Sequence, residues 1–321
     1  MTLPKFICIY IFFLSALNSY EKKDLLQKFD SRKKIEEMQG IDEIYVINLE
    51  KRPKKLAVSL KQLKDFNFSC VVFSAINGAS LDIEKMEAIA YKIHSKSCFE
   101  THMFGKNVRS QQNELISKAK IGQAVFYTRM TRGRIGCYLS HLSILQHALE
   151  KNYKRILILE DDFIIKEDPR CISNYIEELD HLRTPDGWDI IYLNDLTYYG
   201  DSNKRTHPEQ RELFKNFLSS KISLQNPLDK LRILSSMELG YLVHSNQSDY
   251  GSFRKISGRN GTYAMVVNQS AMKKILSFFY SYGIFLPYDV ELSFILDLNL
   301  FNIKKTIMDV SRSISDTKYI K

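Results

Sequence analysis

The stretch Tyr153–Phe163 reads Tyr-Lys-Arg-Ile-Leu-Ile-Leu-Glu-Asp-Asp-Phe and constrains the fold more than any other part of the chain. Four consecutive aliphatic residues, Ile156–Leu159, predict a short strand buried on both faces, the pattern of parallel strands in α/β proteins. Three carboxylates, Glu160, Asp161 and Asp162, follow without a break. A doubly buried strand has no place for them. They belong where the strand leaves the sheet at its carboxyl edge, the edge at which open α/β sheets bind ligands. Crowded carboxylates repel one another. A divalent cation relieves that repulsion, and hard oxygen ligands suit Mn2+ or Mg2+. Two readings stand at this point: a metal site that holds a phosphorylated substrate, or a strand that ends in a solvated acidic turn.

The flanking pattern extends the α/β reading. Strands are predicted near Glu43–Asn48, Cys70–Ala75, Arg155–Glu160, Asp189–Asn194, Thr262–Asn268 and Lys304–Val310, and helices over Lys54–Phe66, Asp82–Cys98, Thr131–Leu149 and Ser270–Tyr280. The first strand, the basic turn Glu50–Pro53 and the following helix put Asn48 and Arg52 at the carboxyl edge, where a nucleotide phosphate fits. Gly133 and Gly136, at the start of the Thr131–Leu149 helix, would let backbone approach a ligand closely, and a helix N-terminus favours an anion. Ser140 and His141 lie within that helix. The stretch Phe99–Met130 is polar, lacks clean periodicity and reads as an insertion or lid.

Outside this body, one lysine precedes an apolar run from Phe6 to Leu14. Residues 1–19 therefore read as a signal peptide or a hydrophobic membrane anchor. Residues 20–40 read as a charged helical spacer ended by Gly40. Residues 41–321 form the remaining domain, with a polar excursion over 198–260 rich in charge and aromatics. Of 321 residues, 46 are Lys or Arg and 37 Asp or Glu, a formal charge of +9. That balance suits nucleotides, phosphoglycans or an acidic membrane surface. No helix-turn-helix, zinc finger or aromatic-basic RNA motif is present, so nucleic acid is not an expected partner. The five cysteines include no Cys-x-x-Cys pair, and their spacing suggests neither zinc nor a disulfide framework. A reducing compartment fits.

Taken in order, Ile44–Arg52, then Gly-Arg-Ile-Gly-Cys-Tyr-Leu-Ser-His over Gly133–His141, then Ile-Leu-Glu-Asp-Asp over Ile158–Asp162, resemble the landmarks of glycosyltransferase family 25. That family includes bacterial lipooligosaccharide galactosyltransferases and collagen galactosyltransferases. Gly187–Leu193, Gly261–Val267 and the Pro-Tyr-Asp of Pro287–Asp289 resemble later landmarks, so the likeness covers roughly Ile41 to Leu298. One departure stands out: the family usually has an acid where this chain has Arg134.

The resemblance implies an α/β, Rossmann-like nucleotide-diphosphosugar transferase (GT-A type) domain with a mixed, mostly parallel sheet. It implies an inverting, metal-dependent transfer of a hexose, galactose from UDP-galactose in the specific case, to a glycan or glycolipid acceptor such as lipooligosaccharide. Glu160 and Asp162 match the Asp-x-Asp spacing that holds Mn2+ or Mg2+ on the donor diphosphate. Residues two apart on extended backbone face the same way. Asp162 ranks first as metal ligand and Asp161 second, with Glu160 touching the ion or the ribose. By the same resemblance Asn48 and Arg52 contact the nucleotide, and Gly136, Ser140 and His141 shape the donor pocket. Gly261, Thr262 and Tyr263 line the acceptor side. An alcohol needs a base at neutral pH. Asp289 leads for that role, with N-capping of the run Asp289–Leu298 as its structural alternative, and Asp195 is second.

Peripheral membrane contact is expected, facing the cytoplasm in a bacterium or a secretory lumen otherwise. Two rival functions remain. A metal-dependent phosphohydrolase could use the same acids, although no aspartyl-nucleophile motif with its lysine is found. A non-catalytic glycan-binding relative of the family is kept open by Arg134.

Overall fold

The computed structural model describes residues 26–27, 38–93, 104–182, 187–195, 248–256, 258–295 and 297–311. In chain order its strands are β1 (Glu43–Asn48), β2 (Val71–Ser74), β3 (Tyr91–Lys92), β4 (Phe104–Asn107), β5 (Asn113–Leu115), β6 (Ala124–Tyr127), β7 (Arg155–Glu160), β8 (Phe163–Ile165), β9 (Ile190–Tyr192), β10 (Ser248–Tyr250), β11 (Phe253–Ile256), β12 (Ala264–Asn268), β13 (Leu300–Ile303) and β14 (Met308–Val310). The helices are α1 (Pro53–Asp65), α2 (Ile83–Ile89), α3 (Arg132–Glu150), α4 (Ile172–Leu182), α5 (Gln269–Tyr282) and α6 (Tyr288–Glu291).

The aliphatic run of β7 lies inside the main sheet, and each of Ile156, Leu157, Ile158 and Leu159 is 0% exposed. Burying such a side chain stabilises the fold by roughly 1.5–3 kcal/mol. Alternation sends Ile156 and Ile158 into the core under α3 and α5. Leu157 and Leu159 enter a second core with Leu63 of α1 and Ile172, Ile176 and Leu179 of α4. The result is an eight-stranded sheet between two helical layers, in the order β10-β11-β13-β9-β12-β7-β1-β2. The pairings β1 with β2, β1 with β7 and β9 with β13 are parallel. Those of β12 with β7 and β9, and of β11 with β10 and β13, are antiparallel. Six of the eight strands therefore run one way, and only β11 and β12 run the other. This is the mixed, mostly parallel sheet expected from the sequence.

Several expected elements differ. Of the predicted Lys304–Val310 strand only Met308–Val310 is strand, paired with β8 in a small ribbon, and the strand that joins the main sheet, Leu300–Ile303, precedes the predicted range. The 82–98 helix stops at Ile89, with Asp82 as its N-cap accepting from Lys85 N at 2.8 Å, because the chain turns into β3. The stretch expected to be a lid is largely ordered structure. Strands β3, β6, β4 and β5 form a second antiparallel sheet, docked by Tyr91 N to Ile284 O and Tyr127 N to Phe285 O, each at 2.9 Å. The late part of the polar excursion, 248–260, holds β10 and β11 at the edge of the main sheet. Its residues 198–247 lie outside the described residues, as do 1–25 and most of the predicted spacer. No helix among the described residues is long and apolar enough to cross a membrane.

One buried ion pair anchors the end of the sheet opposite the acids. Asp189 is 0% exposed and accepts from Ser270 Oγ (2.7 Å), Lys274 Nζ (2.8 Å) and Asn299 N (2.7 Å). Asp189→Ala strands these donors and should cost about 3 kcal/mol in a urea melt. A loss under 1 kcal/mol would contradict that account.

Candidate active site

Because β1, β7 and β9 run the same way, Asn48, Glu160 and Asn194 leave the sheet at one edge. Strand β12 runs the other way, so the segment that precedes it, Gly261–Tyr263, arrives at that same edge. The N-terminal turn of α3 completes the site. Thr131 caps it by accepting from Arg134 N at 3.2 Å.

The three consecutive acids have three different surroundings. Asp161 turns inward and is 5% exposed. Asn48 Nδ2 donates to one of its oxygens at 2.7 Å and Arg52 Nη1 to the other at 3.3 Å. Burial pushes its carboxyl up, and the Arg52 guanidinium opposes that. Each oxygen of Asp161, expected as a metal ligand, thus carries one donor. Asn48 and Arg52 are likewise directed at Asp161 and hold the turn after β7. Ser59 Oγ, donating to Asp161 O at 2.9 Å, fixes that turn from α1.

Glu160 faces the other way. Thr262 Oγ1 donates to its Oε1 at 3.0 Å, and His141 Nε2 lies 3.6 Å from the same oxygen. Burial alone would raise its carboxyl, but the His141 and Thr262 contacts and the Arg52 charge bring it below the usual range. Asp162 is left least satisfied. Its Oδ1 is buried without a hydrogen-bond partner, and Lys55 Nζ is 3.9 Å from Oδ2. Burial, then the nearby Glu160 charge, pushes its carboxyl up to about 6. A buried carboxylate oxygen with no donor, beside a second carboxylate, is the donor set a hard divalent cation fits.

Facing the acids, Asp289 closes the site. It lies one residue inside α6, whose N-cap is Pro287, so it is not itself the cap. Its Oδ2 accepts from Gly261 N at 2.7 Å and its Oδ1 from Val290 N at 3.0 Å. Burial raises its carboxyl, and those two N–H groups oppose the rise. Gly261 has φ +84, a conformation that favours glycine. The segment expected to meet the acceptor also acts as a strut. Thr262 holds Glu160, and Tyr263 is 7% exposed, its backbone O accepting from Glu160 N and its hydroxyl paired with Asn194. Asp195 stands further along the edge, bonded by Arg254 Nη1 at 2.9 Å.

The α3 residues line the site from behind. Gly136 does not admit a ligand: a Cβ there would sit 2.3 Å from Ile76 O, so the glycine serves the crossing of α3 with the chain after β2. Ser140 is fully buried, accepting from Ile76 N at 2.9 Å and donating to Gly136 O at 2.7 Å. His141 is 0% exposed and stacked on Tyr288 at 4.6 Å. A cleft remains between this wall and the acids, lined by Gly78, Gly133, Cys137, Arg52 and Glu160. Two residues near it are not among those expected from sequence. Cys137 lies in the field of Glu160, Asp289 and Asp162. Arg259 is 1% exposed, with its guanidinium 4.3 Å over the Tyr192 ring. A buried arginine inside a polar segment carries no local signal, whereas Cys137 has one, its place inside the Gly133–His141 motif.

Residues 41–292 match the family described as Glycosyltransferase family 25 (LPS biosynthesis protein). A Glycosyltransferase 25 family member of Aedes aegypti is 28% identical over 167 residues, 51% of this chain and 23% of that protein. The Inactive glycosyltransferase 25 family member 3 of Mus musculus is 27% identical over 178 residues, 56% of this chain and 24% of its own length. Procollagen galactosyltransferase 1 of Danio rerio is 24% identical over 155 residues, 48% and 21% of the two chains. The matched stretch thus spans under a quarter of the length of these relatives.

Proposed function

Since the chain belongs to glycosyltransferase family 25, we propose that it moves a hexosyl group from a nucleotide-sugar donor to a hydroxyl of a glycan or glycolipid acceptor. The specific reading is galactose from UDP-galactose, with an acceptor such as lipooligosaccharide. The observation that carries it is Asp162, whose buried, partnerless oxygen stands beside Glu160 at the ligand-binding edge of the sheet. Asp162 and Glu160 would hold Mn2+ or Mg2+. The cation, when bound, supplies Lewis-acid stabilisation of the departing nucleoside diphosphate.

In an inverting transfer the acceptor oxygen bonds to the anomeric carbon as the bond from that carbon to the diphosphate breaks, and the acceptor proton passes to a base. Asp289 suits that role, because burial raises its proton affinity and the Gly261 and Val290 N–H groups hold its orientation. Asp195, tied to Arg254, is second. Association with a membrane through residues 1–19 and the basic surface belongs to the same proposal, on the cytoplasmic side in a bacterium or in a secretory lumen otherwise.

A second reading, glycan binding without turnover, draws on two observations. Arg134 replaces the acid usual in the family, and a relative of similar identity is named inactive. Calorimetric titration with UDP separates the two. Transfer predicts binding in Mn2+ that is lost on chelation and lost in Asp162→Ala. No UDP binding with or without metal removes the UDP-donor reading, and glycan binding that persists without metal or UDP establishes the second.

A further inference from the structure

The sheet edge carries a second set of potential ligands, softer than the acids. We propose that Cys137, His141 and Glu160 form a Zn2+ site, and that Zn2+ bound there withholds Glu160 from the hard cation at Asp162. One ligand atom from each of the three residues lies within 4.8 Å of the others. Cys137 and His141 are four residues apart on α3 and so share a face. Glu160 meets them from the end of β7, with His141 Nε2 3.6 Å from its Oε1.

A tetrahedral zinc with bonds of about 2.0–2.3 Å sets its ligand atoms roughly 3.3–3.8 Å apart. The His141–Glu160 pair already has that spacing. The two separations that involve Cys137 are each within 4.8 Å, so closing them takes about 1 Å at most, within reach of a χ1 adjustment at Cys137. The ligands are otherwise held. Tyr288 stacks on His141, Thr262 bonds Glu160, and Ser140 ties α3 to Ile76.

The chemistry separates the two sites. Thiolate and imidazole select zinc over manganese or magnesium, whereas a carboxylate pair suits the hard ions. Cys137 and Glu160 both line the cleft, so the fourth position opens toward solvent or substrate. Three protein ligands with an open position is a common catalytic-type zinc arrangement. On binding, the Cys137 proton leaves to solvent as the sulfur–metal bond forms. Both sites need Glu160, so the two cations compete. The inhibitory half of the inference rests on the proposed transfer activity; the site itself does not.

Titration of the full chain with Co2+ tests the site directly. The native protein should show a thiolate-to-cobalt charge-transfer band and tetrahedral d–d bands, both displaced by one equivalent of Zn2+. Cys137→Ser should lose the charge-transfer band. Its Zn2+ affinity should fall by more than the roughly 100-fold that loss of an outer partner costs. Asp162→Ala should keep the band, which shows that the site is distinct from the hard-cation ligand. Absence of the band in the native chain, or its persistence in Cys137→Ser, overturns the proposal. Neither result depends on whether UDP binds. Where transfer is measurable, Zn2+ should inhibit it, rising Mn2+ should relieve the inhibition, and Cys137→Ser should be insensitive to Zn2+ relative to its own zinc-free rate. Inhibition that Mn2+ leaves unchanged overturns the competition.

Discussion

Asp162→Asn should abolish transfer and make the metal-free protein more stable. Loss of a carboxylate that holds the cation removes several kcal/mol of charge stabilisation, a fall in turnover on the order of 10³-fold or more. The gain in stability has a separate origin. Burial and the Glu160 charge push the Asp162 carboxyl from 3.8 up to about 6, and its side chain is only 15% exposed. A carboxyl that binds its proton more tightly in the folded than in the unfolded chain loses stability as pH rises from about 4 to about 6, and the penalty is constant above that. A rise of that size corresponds to roughly 2–3 kcal/mol. The asparagine variant, which never ionises, should therefore be more stable than the parent by that amount at pH 7.5 in chelator. The gain should fall to a small fraction of that near pH 4 and vanish below about pH 3. Mn2+ should raise the parent's melting temperature and leave the variant's unchanged. Urea melts at both pH values, with turnover assayed alongside, decide the matter. A variant that is active, or less stable than the parent at pH 7.5, would refute this account of the site.

The second large effect concerns stability. In Gly136→Ala the new Cβ would lie 2.3 Å from Ile76 O and 2.7 Å from Gly78 N. The facing glycine is as tightly placed, since a Cβ on Gly78 would lie 1.7 Å from Arg132 O. These are backbone atoms and cannot rotate aside. Alanine is the better helix former by about 1 kcal/mol, but overpacking against backbone should outweigh that and destabilise the protein by about 3 kcal/mol or more. The same shift would move Cys137 and the cleft wall, so residual activity should fall further than stability alone explains. Gly122→Ala offers the contrast. It meets nothing within 4 Å and has φ +81, so only the backbone term of about 1–2 kcal/mol applies. Equal midpoints for Gly136→Ala and the parent would show that the crossing can open at little cost.

Much of the framework was legible in the chain. The predicted β1 and β7 coincide with Glu43–Asn48 and Arg155–Glu160, because doubly buried strands need unbroken apolar runs and leave that mark. The helix from Thr131 was equally plain. The second sheet was not. Its strands run two to four residues, and half-polar sequences such as Asn113–Leu115 carry no period that survives so short a length. Strand β13 begins four residues before the predicted strand because Asn302, 3% exposed and holding Arg259, interrupts an otherwise apolar run.

At the site the division is sharper. The sequence by itself determined that three acids leave a buried strand together; Asp161 and Asp162 form the turn after β7, so strand alternation does not settle which way each points. Only the tertiary structure decided what each acid does. Arg52 of the first turn and Asn48 of β1 consume Asp161, Thr262 and His141 consume one oxygen of Glu160, and nothing among the described residues reaches Asp162 Oδ1. Adjacent carboxylates are chemically equal in a sequence. They become unequal when other segments, most of them more than 100 residues away, supply donors to some and withhold them from others.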